Sequence, residues 1–171
     1  MEKGYIQVYT GDGKGKTTAA LGLAIRALGK GKKVAIIQFL KKSDNYGEYL
    51  FLSPKITFLQ FGFPHFIDPK NIKEEEKDLV NKGIEKSREI IFSGLYDIVI
   101  LDEILVTVLF KMIDDKTIVE IMKNKPNDVE LILTGRGATK SIIENADLVT
   151  EMKEIKHYFK KGVEAREGIE F

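Results

Sequence analysis

The sequence predicts an α/β fold, a mostly parallel sheet covered by helices on both faces. Three observations carry that expectation. Continuous apolar runs of strand length alternate along the chain with amphipathic helical patterns, and such runs suit strands buried on both faces. Strands that alternate with helices imply right-handed crossovers, and those pair strands in parallel. The first strand leads directly into a glycine- and lysine-rich stretch and then an Ala/Leu-rich helical pattern, the order of strand, phosphate-binding loop and helix. Ligands of such a sheet sit at the carboxyl ends of its strands.

The elements follow in chain order. Tyr5 to Tyr9 alternates as a strand, and Thr17 to Leu28 reads as a helix ended by Gly29 and Gly31. Val34 to Leu40, Ile56 to Phe61, Ile98 to Leu101 and Leu131 to Thr134 are buried-strand runs, with Leu148 to Met152 a weaker one. Asn71 to Phe92 sets Ile72, Leu79, Val80, Ile84 and Ile91 in a charged background, which predicts a long amphipathic helix with a solvated charged face. Shorter helices are expected over Leu105 to Met112, Asp115 to Met122 and Ala138 to Asn145. Lys41 to Tyr49 and Gly62 to Asn71 are the least regular segments, of the kind that carry function or move.

Composition bounds the reading. At 171 residues with 43% hydrophobic residues, the chain is expected to form a single nucleotide-binding domain over residues 1–171. Its 27 basic and 26 acidic residues leave a net charge of +1, so no overall field favours nucleic acid or an anionic membrane, and no basic, aromatic-studded stripe suggests a nucleic-acid motor. The absence of cysteine excludes disulfides and thiolate chemistry and fits a reducing cytoplasm. Strand-like sequence begins directly after Met1, which argues against a secretory leader, and no run approaches membrane-spanning length.

The chemistry concentrates at Thr10-Gly11-Asp12-Gly13-Lys14-Gly15-Lys16-Thr17-Thr18. The glycines let backbone N–H groups turn inward, and the helix beginning near Lys16 places roughly half a positive charge at its N-terminus. Lys16 adds a full charge. Gly15-Lys16-Thr17 predicts Lys16 on phosphate oxygens and the Thr17 hydroxyl on Mg²⁺, with ATP or GTP as the ligand. The usual spacing puts glycine where this chain has Thr10; the first glycine arrives one place late, at Gly11. Downstream, Tyr96 to Leu101 ends in Asp102 and Glu103. On a strand neighbouring the loop strand, these carboxylates would hold Mg²⁺ directly or through water. Leu131 to Thr134 opens into Gly135-Arg136-Gly137, and Arg136 would fork onto phosphate oxygens in the same crevice.

These residues resemble the ATP:corrinoid adenosyltransferases, a P-loop NTPase-like (RecA-like) family acting on cob(I)alamin and its precursors. The resemblance spans nearly the whole chain. It is carried by Tyr9 through Ala20, Gln38-Phe39-Leu40-Lys41, Leu101-Asp102-Glu103 and Thr134-Gly135-Arg136-Gly137, and near the end by Ala146 to Met152, Lys156-His157 and Gly168 to Phe171. The displaced first glycine is what this family's loop looks like. The resemblance implies transfer of the 5′-deoxyadenosyl group of ATP to the Co(I) of a reduced corrinoid, with triphosphate leaving, in adenosylcobalamin synthesis or salvage. It also implies ATP bound in the reverse sense along the loop, Arg26 and Glu103 near nucleotide and metal, a phosphate contact or cap at Thr18, a reduced flavoprotein as electron donor and a homodimer. Lys16, Glu103 and Arg136 are then the catalytic candidates. Thr17, Asp102 and Glu103 are the metal candidates.

For the corrinoid, the resemblance implies aromatic residues after the third strand that shield the lower cobalt face. Phe63 and Phe66 keep that bulk, although the family often has a tryptophan here and this chain has none. Read from the residues alone, both serve equally well as loop-packing groups, and His65 is a surface residue or a cobalt ligand. The N-terminal extension that folds over the site in relatives is not seen here, so closure would come from elsewhere or the site stays more open. Two other functions use the same features: a P-loop ATPase or small-molecule kinase, which would yield ADP, and a non-catalytic corrinoid-binding or delivery protein, which would not consume ATP.

Overall fold

A computed structural model of the chain describes residues 2–171. Its centre is a six-stranded sheet in which every pairing is parallel. The strands are β1 (Ile6–Thr10), β2 (Val34–Phe39), β3 (Thr57–Phe61), β4 (Ile98–Asp102), β5 (Glu130–Thr134) and β6 (Leu148–Glu151), in the order β3-β2-β4-β5-β1-β6. The helices are α1 (Lys16–Leu28), α2 (Gly47–Leu52), α3 (Glu74–Phe92), α4 (Ile104–Leu109), α5 (Asp115–Asn124) and α6 (Lys140–Glu144), with a 3₁₀ turn at Tyr158–Lys161.

Side-chain alternation along the strands builds two cores. Val34, Ile36, Ile98, Ile100 and Ile132 face α1 and α2, where Ala20, Ala24, Ala27 and Leu52 complete one cluster. Ala35, Ile37, Phe39, Val99, Leu101, Leu131 and Leu133 point the other way and join Val80, Ile91, Leu105, Ile118 and Ile142 of α3 to α6. Both faces of the sheet are covered, as the apolar runs require. The two edges differ from the central strands. All four residues of β6 are exposed, and β3 buries only Phe58.

Three expectations are corrected. The acid-bearing strand does not neighbour the loop strand, because β5 lies between β4 and β1. The irregular segment Lys41 to Tyr49 ends inside α2, which sequence periodicity missed because its single fully buried side chain is Leu52. The long helix begins at Glu74 rather than Asn71. Asp68 first makes a turn, accepting from Lys70 N (2.9 Å) and, through its carbonyl, Asn71 N (3.0 Å). Glu76 then accepts from Lys73 N at 2.8 Å, and three glutamates in the first turn complement the helix dipole.

Candidate nucleotide and metal site

The phosphate loop joins β1 to α1, and its shape depends on β6. Met152 N donates to Thr10 O (2.8 Å) and Gly13 N donates to Met152 O (2.7 Å), so the chain after β6 clasps the loop from below. Gly11 has φ +97, and a Cβ there would lie 2.4 Å from Met152 O. That contact explains the glycine at 11, since no side chain fits between the loop and its neighbour. Thr10, buried, accepts from Ala138 N at 3.3 Å and does not reach the cleft.

Above the loop lies a cleft of about 510 Å³, lined by Asp12 to Thr18, Lys41, Glu48, Glu103, Arg136, His157 and residues 168–171. Its size suits a small-molecule substrate. Lys16 opens α1 and donates from Nζ to Gly13 O at 2.6 Å. Burial pushes its pKa down, and the Arg136 and Lys41 charges add to that effect against Glu103 and Asp12. A partly desolvated ammonium beside loop N–H groups is well placed to meet an anion.

The carboxylates are held by three strands. Asp102 ends β4 and is 1% exposed. Its Oδ1 accepts from Thr17 Oγ1 (2.8 Å) on α1 and Thr134 Oγ1 (2.6 Å) on β5. Its Oδ2 accepts from Gln38 Nε2 (3.2 Å), the residue paired with it in register on β2, and from Lys41 Nζ (3.3 Å). Thr134 Oγ1 in turn accepts from Glu103 N at 3.0 Å. Glu103 has φ 60, a left-handed conformation rare for a side-chain-bearing residue. That turn ends the strand and places Glu103 on the cleft wall, while Asp102 stays behind it. Thr17, Asp102 and Glu103 are hard oxygen donors of the kind Mg²⁺ takes. No group of three or more His, Asp or Glu among the described residues converges as a metal cage.

The structure thus brings together Asp12, Gly13, Lys14, Gly15, Lys16, Thr17, Thr18, Glu103, Arg136 and His157. Arg26 is not brought there. It is exposed in the last turn of α1, about 15 Å along the helix from Lys16 at 1.5 Å per residue. Phe63 and Phe66 stand in the loop after edge strand β3, outside the cleft lining, and Phe66 is fully exposed. His65 packs against Phe63, ring centroids 5.3 Å apart, and its Nε2 lies 3.4 Å from Glu76 Oε1.

Sequence reasoning assigned no role to Lys41, Gln38, Thr134 or the C-terminal tail. A fully buried glutamine inside the apolar run Val34 to Phe39 was the available signal, because buried polar groups need partners. The tail gave none. Glu170 accepts from Lys14 Nζ (2.7 Å) and Arg166 N (2.8 Å), and also from the Tyr158 hydroxyl; Lys14 Nζ donates in addition to Ile169 O (3.0 Å). Hydrogen bonds from Arg166, then Lys14 and Tyr158, hold the Glu170 carboxyl well below the usual carboxylate range. The tail is thereby tied to the phosphate loop and forms one wall of the cleft.

The sequence model of the family described as ATP:corrinoid adenosyltransferase BtuR/CobO/CobP matches residues 2–171. The chain is 35% identical over 170 residues to a corrinoid adenosyltransferase of Escherichia coli (strain K12), covering 99% of this chain and 87% of the relative. It is 34% identical to the corrinoid adenosyltransferase CobA of Salmonella typhimurium (strain LT2), with the same 99% and 87% coverage. A corrinoid adenosyltransferase of Sinorhizobium sp is 37% identical over 175 residues, 99% of this chain and 81% of that one. With a phosphate loop, an acid-tipped strand and a glycine-flanked arginine around one cleft, and with matches of this extent, the chain belongs to the ATP:corrinoid adenosyltransferase family.

Proposed function

We propose that the cleft holds ATP with its triphosphate in the loop and its 5′ carbon turned toward a reduced corrinoid, and that the residues around it stabilise triphosphate as it leaves. The chain's reaction is adenosylation of a corrinoid by ATP. The observation that supports this division of labour is the convergence of Lys16, Thr17, Glu103 and Arg136 on one cleft. Co(I) is the nucleophile and belongs to the substrate, so the protein's part is alignment and leaving-group stabilisation. Displacement at a ribose carbon needs no activated water, hence no general base.

In this reading Lys16 and the loop N–H groups take the phosphate oxygens, and Arg136, lining the same cleft, adds a planar, two-pronged donor. Thr17, Asp102 and Glu103 would hold Mg²⁺, directly or through water, and Asp102 also orients the Thr17 hydroxyl. Bound there, Mg²⁺ supplies charge neutralisation on the departing triphosphate. Thr10 and Gly11 shape the loop rather than touch the ligand. The tail at 168–171 helps to shield the nucleotide from water. Phe63 and Phe66, at the carboxyl edge of the sheet, provide apolar surface for the corrinoid. We further propose a single domain, from chain length and hydrophobic content, working in the cytoplasm, from the absence of cysteine; a homodimer and a reduced flavoprotein as electron donor are proposed on the sequence resemblance. No described helix is long and apolar enough to cross a membrane.

The test is incubation with ATP, Mg²⁺ and chemically reduced cobalamin, following the corrinoid spectrum and the phosphate product together. Adenosylcobalamin with triphosphate is the expected result. ADP without corrinoid change would favour phosphoryl chemistry, and corrinoid binding without ATP consumption would favour a delivery protein.

A further inference from the structure

Lys41 stands at the point where the acid pair and the phosphate loop meet. Its Nζ is 3.3 Å from Thr17 Oγ1, 3.3 Å from Asp102 Oδ2 and 3.4 Å from Glu103 Oε1. These are the same three groups assigned above to the metal. We propose that Lys41 is a tethered counter-ion of that site: its ammonium holds the position into which the three oxygens point, so that free divalent metal is excluded and metal enters only together with a triphosphate. The inference rests on the proposed metal role of Thr17, Asp102 and Glu103.

The backbone around Lys41 is built for this placement. Leu40, with φ 61, turns the chain out of β2 in the left-handed region, and Leu40 N is fixed to Phe61 O at 2.9 Å. A Cβ on Gly62 would lie 2.2 Å from Lys41 N, so the chain after β3 must carry glycine to let this turn pass. An unfavourable conformation is thus held by hydrogen bonding and close packing at the residue that aims the lysine. Its effect is electrostatic. Asp102, Glu103 and Lys41 together sum to −1, and removing Lys41 makes the site one unit more negative toward any cation. Lys41 also lines the cleft beside Lys16. Metal arriving with nucleotide would bring phosphate oxygens into the cleft that Lys41 lines, as new partners for an ammonium that would otherwise be left unpaired.

The experiment measures Mn²⁺ binding to the nucleotide-free full-length chain by electron paramagnetic resonance of free Mn²⁺. Lys41→Met and Lys41→Gln should each bind Mn²⁺ about tenfold more tightly than the unaltered chain, since a unit charge has been removed at ion-pair distance. Lys41→Arg, which keeps the charge, should not. Two uncharged variants guard against one failing to fold, which circular dichroism reports. Mn²⁺ affinity unchanged in the folded uncharged variant overturns the counter-ion role. Adding Asp102→Asn to Lys41→Gln should abolish the gain. A gain that survives Asp102→Asn overturns the metal assignment of Asp102 instead, so the two failures are distinguishable.

Discussion

Thr134→Val isolates the hydrogen bonds that fix the acid pair, because valine keeps the shape of threonine and loses only the hydroxyl. In the structure that hydroxyl donates to Asp102 Oδ1 at 2.6 Å and accepts from Glu103 N at 3.0 Å. The first bond involves a carboxylate, and such bonds contribute about 1.5–3 kcal/mol; the second leaves a partly buried N–H without its partner, a cost of about 1–3 kcal/mol. Thr17 and Gln38 still bond Asp102 in the variant, so the lower half of each range applies. The expected loss is about 3 kcal/mol. For a chain of this length that lowers Tm by about 6–12 °C. Urea unfolding of both proteins, followed by circular dichroism, checks the stability, and ATP-dependent corrinoid adenosylation checks the site. A valine variant within about 0.5 kcal/mol of the parent would refute the claim that Thr134 fixes Asp102 and Glu103 together.

Lys16→Ala should cost about 3 kcal/mol of transition-state stabilisation, about 150-fold in kcat/KM, with unfolding little changed; steady-state kinetics with unchanged turnover would remove Lys16 from the mechanism. Glu170→Gln should loosen the tail, read as faster hydrogen exchange over residues 166–171, because Lys14, Arg166 and Tyr158 lose their common carboxylate. The same contact sets a pH dependence. The Glu170 pKa is depressed in the folded chain, so tail docking is fully present above the ordinary glutamate pKa, about 4.3, and weakens as pH falls below that toward the folded value. Intrinsic tyrosine fluorescence of the parent and the glutamine variant through that range should differ; identical profiles would contradict it. Phe66→Ala should leave Tm nearly unchanged, since the ring is fully exposed, yet weaken corrinoid binding in equilibrium titration. Unaltered corrinoid affinity would take Phe66 out of the site.

Much of the fold was legible because its signals are local. Val34 to Phe39 and Ile98 to Leu101 are apolar without interruption and became central strands. The ends of elements were less legible, since single hydrogen bonds set them. Asp114 caps α5 by accepting from Lys116 N at 2.9 Å, and Thr139 caps α6 by accepting from Ile142 N at 3.3 Å, so that α6 starts at Lys140, two residues after the Ala138 start that periodicity suggests. Within the site, the loop, Glu103 and Arg136 could be named in advance because each sits at the end of a recognisable run. Arg26 is placed near the nucleotide by the resemblance alone, although the predicted helix already sets it about 15 Å along the axis from Lys16.

The sequence by itself determined the strand and helix alternation, the phosphate loop and the acid-tipped strand, since spacing, glycine and apolar runs act through neighbours along the chain. Tertiary structure alone decided which strand lies between β1 and β4, that Gln38 and Thr134 flank Asp102 from either side, and that Lys41 meets the acid pair. It alone decided, too, that residues 156 positions apart close the cleft through Lys14 and Glu170. Those contacts follow from strand order and from where the chain returns, and neither is written in the local pattern of residues.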